Sequence, residues 1–227
     1  MKVASLAIVS LLLFSCTPDT TNETITATAY KAAVSEAANL ANPYDRAGAL
    51  RNEILNAVSA LVPKTVSLDQ LNIRINSVAE GNAEFNSYKT PSYTPLSVSK
   101  LQSLLETDTT VSQVVFVLPL SPYGKTALTG FLEDLLSISG EEFETIYDYI
   151  VAYEQGVLES TSYTDADKEL ILTLTSLERY AAYYRKKPKD KDWDLLITHI
   201  AAESEGASQD MATAIFYSVG IESALHP

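Results

Sequence analysis

From residue 29 to the end of the chain, apolar residues recur at intervals of three and four, the spacing that lines one face of an α-helix. Ala47, Leu50, Ile54, Val58 and Leu61 form one such stripe, opened by Asn42-Pro43. Leu128, Leu132 and Leu135 form another, opened by Ser121-Pro122. A capping side chain followed by proline suits a helix start, because the missing N–H would have no intrahelical partner there. Phe143, Ile146, Ile150, Tyr153 and Val157 predict a helix from about Gly140 to Glu159. Ala166, Leu170, Leu174, Leu177, Ala181 and Tyr184 predict the next, from Asp165 to Lys187, ended by Pro188. Trp193, Leu196, Ile197 and Ile200 give a shorter helix stopped at Gly206, and Ser208 opens a last one through Met211, Ile215 and Val219. Ser139 with Glu142 reads as a capping box, and Thr164 with Asp167 as its shorter-chain analogue. The Ala-rich run Ala29 to Ala41 and the Ser67/Gln70 pair predict two further helices.

Two stretches interrupt this pattern. Residues 81–96 are polar, carry two prolines, and are expected to be a loop that separates a small N-terminal subdomain from the rest. Val111 to Leu118 has the β-branched density of a strand. No second strand is present to pair with it, and an isolated strand leaves its backbone groups unsatisfied, so a buried helix is expected instead. The expected fold class is all-α, an irregular bundle of about eight to nine short helices behind a disordered tether.

The pattern changes before residue 29. Lys2 is followed by an apolar run from Ala4 to Phe14. It is too short for a hydrocarbon core of roughly 30 Å, which takes about 20 helical residues, and has the length and flanks of a secretory signal. Leu13-Phe14-Ser15-Cys16 resembles the lipobox of bacterial lipoproteins, which are cut before a cysteine already carrying diacylglycerol. The resemblance implies a signal peptide over 1–15 and lipidation at Cys16, the only cysteine. Two or more acyl chains make anchoring stable, at about 0.8 kcal/mol per buried CH₂. An ordinary secretory signal, with Cys16 incidental, is the alternative.

Residues 16–28 follow as a Thr-rich tether, with six Thr between Thr17 and Thr28. Such a stretch cannot bury enough surface to offset its ordering entropy. Extended, it reaches about 40 Å. Thr17 stands where inner-membrane retention calls for Asp, so the lipoprotein resemblance implies the outer membrane. Asp19 and Glu23 are similar to the acidic tether start of surface-exported Bacteroidota lipoproteins. The helical domain is expected over 29–227.

Composition narrows the chemistry. Without Lys2 the chain has 15 basic against 29 acidic side chains, a net charge of −14, which repels phosphate backbones, and no nucleic acid is expected. With Cys16 lipidated, no thiol is left for disulfides, metal ligation or nucleophilic catalysis. His199 and Glu203, four residues apart on one helix face, are a candidate pair of metal ligands. The Glu-x-x-His spacing of helical di-iron sites fails, because position 196 is Leu. No metal site and no cofactor are therefore expected, and an ordinary interhelical or surface histidine is the other reading. The acid pairs Glu141/Glu142, Asp165/Asp167 and Asp192/Asp194 fall in first helical turns, where negative charge complements the dipole.

Tyr147, Tyr149 and Tyr153 lie on one predicted helix and Tyr180, Tyr183 and Tyr184 on the next. A short connection makes such helices antiparallel neighbours. The tyrosines suit either the helix seam or a groove for a glycan, peptide or partner helix. Arg179, Arg185, Lys186, Lys187, Lys189 and Lys191 form the only basic cluster, read as dipole capping or as a dock for an acidic partner or lipid headgroups. The expected binding residues are Tyr147, Tyr153, Tyr180, Tyr183, Tyr184, Arg185, Lys186 and Lys187. Thr164 to Lys187 also resembles a segment of small helical Bacteroidota lipoproteins labelled fulvocin C-related, a family without established activity. The combined expectation is a lipid-anchored envelope protein that binds a protein or small ligand without catalysis. The alternatives are an envelope hydrolase acting on glycan or peptide, metal-assisted through His199, and an immunity or inhibitor lipoprotein.

Overall fold

The computed structural model describes residues 36–61, 66–106, 108–186 and 193–226. Residues 1–35, with Cys16 and the expected signal peptide and tether, and residues 187–192, with Lys187, Lys189 and Lys191, lie outside these residues. Ten α-helices and no strand are present among the described residues. They are α1 Arg46–Leu61, α2 Leu68–Glu80, α3 Ala83–Ser87, α4 Val98–Leu105, α5 Val111–Phe116, α6 Pro122–Ile138, α7 Phe143–Glu159, α8 Asp165–Arg185, α9 Trp193–Ala207 and α10 Met211–Leu225. No described helix is long and apolar enough to cross a membrane.

Local capping explains several of the starts. Ser67 caps α2 and accepts from the Gln70 N–H, Ser121 caps α6 ahead of Pro122, and Thr164 closes a capping box with Asp167 on α8. Val111–Phe116 is helical, as expected, and Thr110 and Gln113 close a capping box there. Elsewhere the expected cap is displaced. Ser139 ends α6 and Glu142 precedes α7 without a side-chain cap, so the predicted Ser139/Glu142 box is not made. Asp210, not Ser208, caps α10 by accepting from the Thr213 N–H. The described part of the Ala-rich run leaves the helix after Ala37, and residues 38–45 turn back through Asn39 and Asn42 before α1 begins at Arg46.

Two helices are central. In α10, every residue from Ala212 to Ser223 is buried, and in α8 every residue from Leu170 to Ala181. A helix apolar all round has to be enclosed by others. Around α10 pack α1, α2, α4 and α9, with Leu50, Ile75, Leu101, Ile215 and Phe216 in one apolar cluster. That cluster takes Leu71 and Leu104 from either side of 81–96, the expected subdomain break. Within that segment Phe85 meets the Phe216 ring edge-on at 5.6 Å. A second cluster joins α5, α6, α7, α8 and α9 through Val115, Leu128, Ile150, Ile171 and Ile200. The helices α1, α8, α9 and α10, where the two clusters meet, carry most of the buried polar side chains.

Candidate functional site

The first buried polar group ties the chain leading into α1 onto α7 and α8. Arg179 of α8 donates to Asp45 at 2.7 Å, to Glu154 at 3.2 Å, and to the Ala37 carbonyl. Glu154 also accepts from Asn39 at 2.6 Å, Asn42 at 2.7 Å and Thr175 at 2.9 Å. Asn42 reaches the Leu172 carbonyl, and the Tyr180 hydroxyl donates to Asp45 at 3.2 Å. Both oxygens of the fully enclosed Glu154 carboxylate therefore have donors.

The second group is assembled from α1, α8, α9 and α10. Arg51, completely buried, donates to Glu222 at 2.6 Å, Ser218 at 3.0 Å and Asn52 at 2.7 Å, with its guanidinium 5.7 Å from the Tyr184 ring. His199 is enclosed 3.5 Å from Glu222, too far for a good hydrogen bond. Glu203 accepts from Ser218 and lies beside Glu178, which accepts from Arg185 at 3.4 Å. Five side-chain atoms here are buried without a donor or acceptor: Glu178 Oε1, both His199 ring nitrogens, Glu203 Oε2 and Glu222 Oε1.

Burial dominates the electrostatics of this group. It pushes the His199 imidazole down to about 3, so the ring is neutral. It drives the Glu203 carboxyl well above the usual carboxylate range, helped by the charge of Glu178, whose own carboxyl is raised by burial. Two contacting carboxyls in a dry interior cannot both ionise. One proton between them, favoured on Glu203, leaves the pair a single negative charge. Glu222 behaves oppositely. Burial raises it, but positive neighbours (His199 when protonated, Arg51 and Arg185) and the Arg51 hydrogen bond outweigh that and hold it at about 2. Arg51 and Arg185 are then balanced by Glu222 and the single charge of the Glu178–Glu203 pair.

His199 and Glu203, the candidate metal pair, thus face different partners, with the Arg51 guanidinium supplying the positive charge. Among the described residues no group of three or more His, Cys, Asp or Glu side chains could hold a metal ion. Glu178, Glu222 and Arg51 were not singled out in the sequence. The available signal was Glu222, the only charge in α10, since a charge on an otherwise apolar helix needs a partner.

The tyrosines expected at a binding surface are distributed over several environments. Tyr180 is only 1% exposed and faces the core. Tyr153 stacks on Phe131 at 4.1 Å, and Tyr147 donates to the Ala38 carbonyl. Tyr183 packs edge-on against Phe143 at 5.1 Å, confirming that α7 and α8 run antiparallel. Tyr184 is half-buried beside Arg51. Arg185 pairs with Glu178 and Lys186 with Glu144. The structure brings Tyr147, Tyr183 and Lys186 together around Phe143, with Tyr180 buried beneath them, and places Tyr153 in a different cluster.

A concave surface lies elsewhere, between α5 and α6. A shallow groove of about 470 Å³ is lined by Val115 and Phe116 on one side and by Lys125, Thr129, Gly130 and Glu133 on the other. Beside it Phe116 is 76% and Val117 74% exposed, an apolar pair at the end of a capped helix. No protein-family model, curated protein or solved structure matches this chain.

Proposed function

We propose that this chain is a lipid-anchored protein of the bacterial outer membrane, attached through Cys16, whose helical domain works by binding a partner at the α5–α6 face. The observation that carries the reading is the adjacent exposure of Phe116 and Val117 beside an open groove. Large exposed apolar neighbours of this kind mark contact surfaces. The tyrosines of α7 and α8 do not carry the reading, because Tyr180 is buried, the Tyr147 hydroxyl bonds the Ala38 carbonyl, and the Tyr153 and Tyr183 rings pack on Phe131 and Phe143. A hydrolase reading through His199 has weaker support, since a substrate cannot reach an enclosed imidazole. Anchoring rests on the lipobox resemblance and binding on the groove, so the two parts are tested separately.

The test uses intact cells expressing the full tagged chain, with a photo-crosslinking residue at position 116 or, as control, at exposed position 59 on α1. Light-dependent capture at 116 and not at 59 is expected. Equal or absent capture at both positions overturns the α5–α6 assignment. In parallel, Cys16→Ser should move the protein out of the membrane fraction; retention there overturns the lipid anchor.

A further inference from the structure

We infer that the occupant of the α5–α6 face is a second copy of this chain, docked with the two α6 helices antiparallel about a two-fold axis at Thr129. The inference rests on the reading above that this face makes the contact, and adds which partner fills it.

Shape supplies the first argument. Phe116 projects from the end of α5 as a knob. Gly130, on the facing helix, leaves open space for it: a Cβ built there would meet no atom within 4 Å. Charge supplies the second. Lys125 and Glu133 border the groove, and neither forms an ion pair with any described residue. The Lys125 ammonium instead donates to the Phe116 carbonyl at 2.5 Å and lies 5.4 Å from that residue's ring.

The spacing of the two charges selects the symmetry. They lie four residues on either side of Thr129, about 12 Å apart along the helix axis. A two-fold axis at Thr129 therefore sets each Lys125 against Glu133 of the other copy, giving two equivalent ion pairs. It also moves Phe116, at the Lys125 end of its own groove, to the Gly130–Glu133 end of the other. This is a self-complementary, closed contact of the kind that makes dimers. The chain's overall negative charge does not oppose it strongly. Repulsion beyond about 8 Å is screened at physiological salt, and the groove walls carry one charge of each sign.

The experiment co-expresses two differently tagged full chains, each carrying Thr129→Cys, and oxidises intact cells. The expected result is a disulfide-linked dimer containing both tags, absent without the substitution. Lys125→Glu alone and Glu133→Lys alone should each reduce that dimer at least tenfold, and the double charge swap should restore it. Restoration cannot come from a merely structural role, because the swap reverses both charges. A monomer throughout, or a dimer indifferent to Lys125→Glu, overturns the inference. If position 116 then captures a different protein, the proposed binding face survives and only the second copy is lost. If position 116 captures nothing, both fall.

Discussion

The two buried polar groups are built from the same residue types and solve different problems. Around Glu154, an arginine, two asparagines and a threonine direct donors at the carboxylate, and both of its oxygens are occupied. Around His199 and Glu203, five polar atoms are enclosed without partners, and the group is accommodated by proton placement: one proton on the Glu178–Glu203 pair and one neutral imidazole. The first group contributes geometry, holding residues 37–45 onto α7 and α8. The second ties α1 to α10 through Arg51, and its protonation makes stability depend on pH. A buried charge is tolerated either by donors or by neutralisation, and this chain uses both.

The contrast can be broken most severely at Arg179. Arg179→Met should cost about 3–5 kcal/mol, because it leaves Asp45 and Glu154 without their counter-charge. Urea denaturation would measure the loss, and a cost below about 1 kcal/mol would mean that the asparagines and threonine suffice.

A matched pair of substitutions sharpens the comparison. Glu154→Gln should cost roughly 2–4 kcal/mol, since an amide N–H replaces an acceptor oxygen facing donors. Glu203→Gln should change stability by less than about 1 kcal/mol at pH 7, because a neutral donor–acceptor group replaces a carboxyl that is already protonated. Similar costs at the two positions would remove the distinction between the groups.

The dependence on pH separates them further. Glu203 holds a proton in the folded state that the unfolded chain releases above about 4.5, so stability falls as pH rises. His199, at about 3 when folded, lacks a proton that the unfolded chain binds below about 6.5, so stability falls as pH drops. The two slopes cancel between about pH 4.5 and 6.5. Above that window Glu203 alone gives a decline approaching about 1.4 kcal/mol per pH unit. Below it, the Glu222 carboxylate adds to the acid loss. Thermal melts across pH 4 to 9 should show this plateau, and Glu203→Gln should flatten its alkaline side. An unchanged alkaline slope in that variant would place the proton elsewhere.

The helical fold was legible where its signals are short-range. Ser67, Ser121 and Thr164 cap helices because the accepting oxygen and the backbone N–H lie within three residues of each other, whatever surrounds them. Ser139 and Ser208 failed where other arrangements were available nearby. Glu142 precedes α7 without a side-chain cap, while Asp210 both caps α10 and accepts from Thr90. The single-stripe reading of α8 likewise found Leu170, Leu174 and Leu177 but not the burial of Thr175, Glu178 and Arg179 on its other faces. Periodicity reports the most apolar face of a helix, not how many neighbours enclose it.

By itself, then, the sequence determined an all-α chain with most of its helices and several of their caps, because hydrophobic period and capping chemistry act over one or two turns. It also confined cysteine chemistry to Cys16, since there is no other thiol. Only the tertiary structure decided that α8 and α10 are central, that His199 meets Glu222 and Glu203 meets Glu178, and that Phe116 stays outside. Those outcomes depend on which surfaces exclude water together. Arg51 and Glu222 are 171 residues apart in the chain and 2.6 Å apart in the fold, a relation no local pattern encodes.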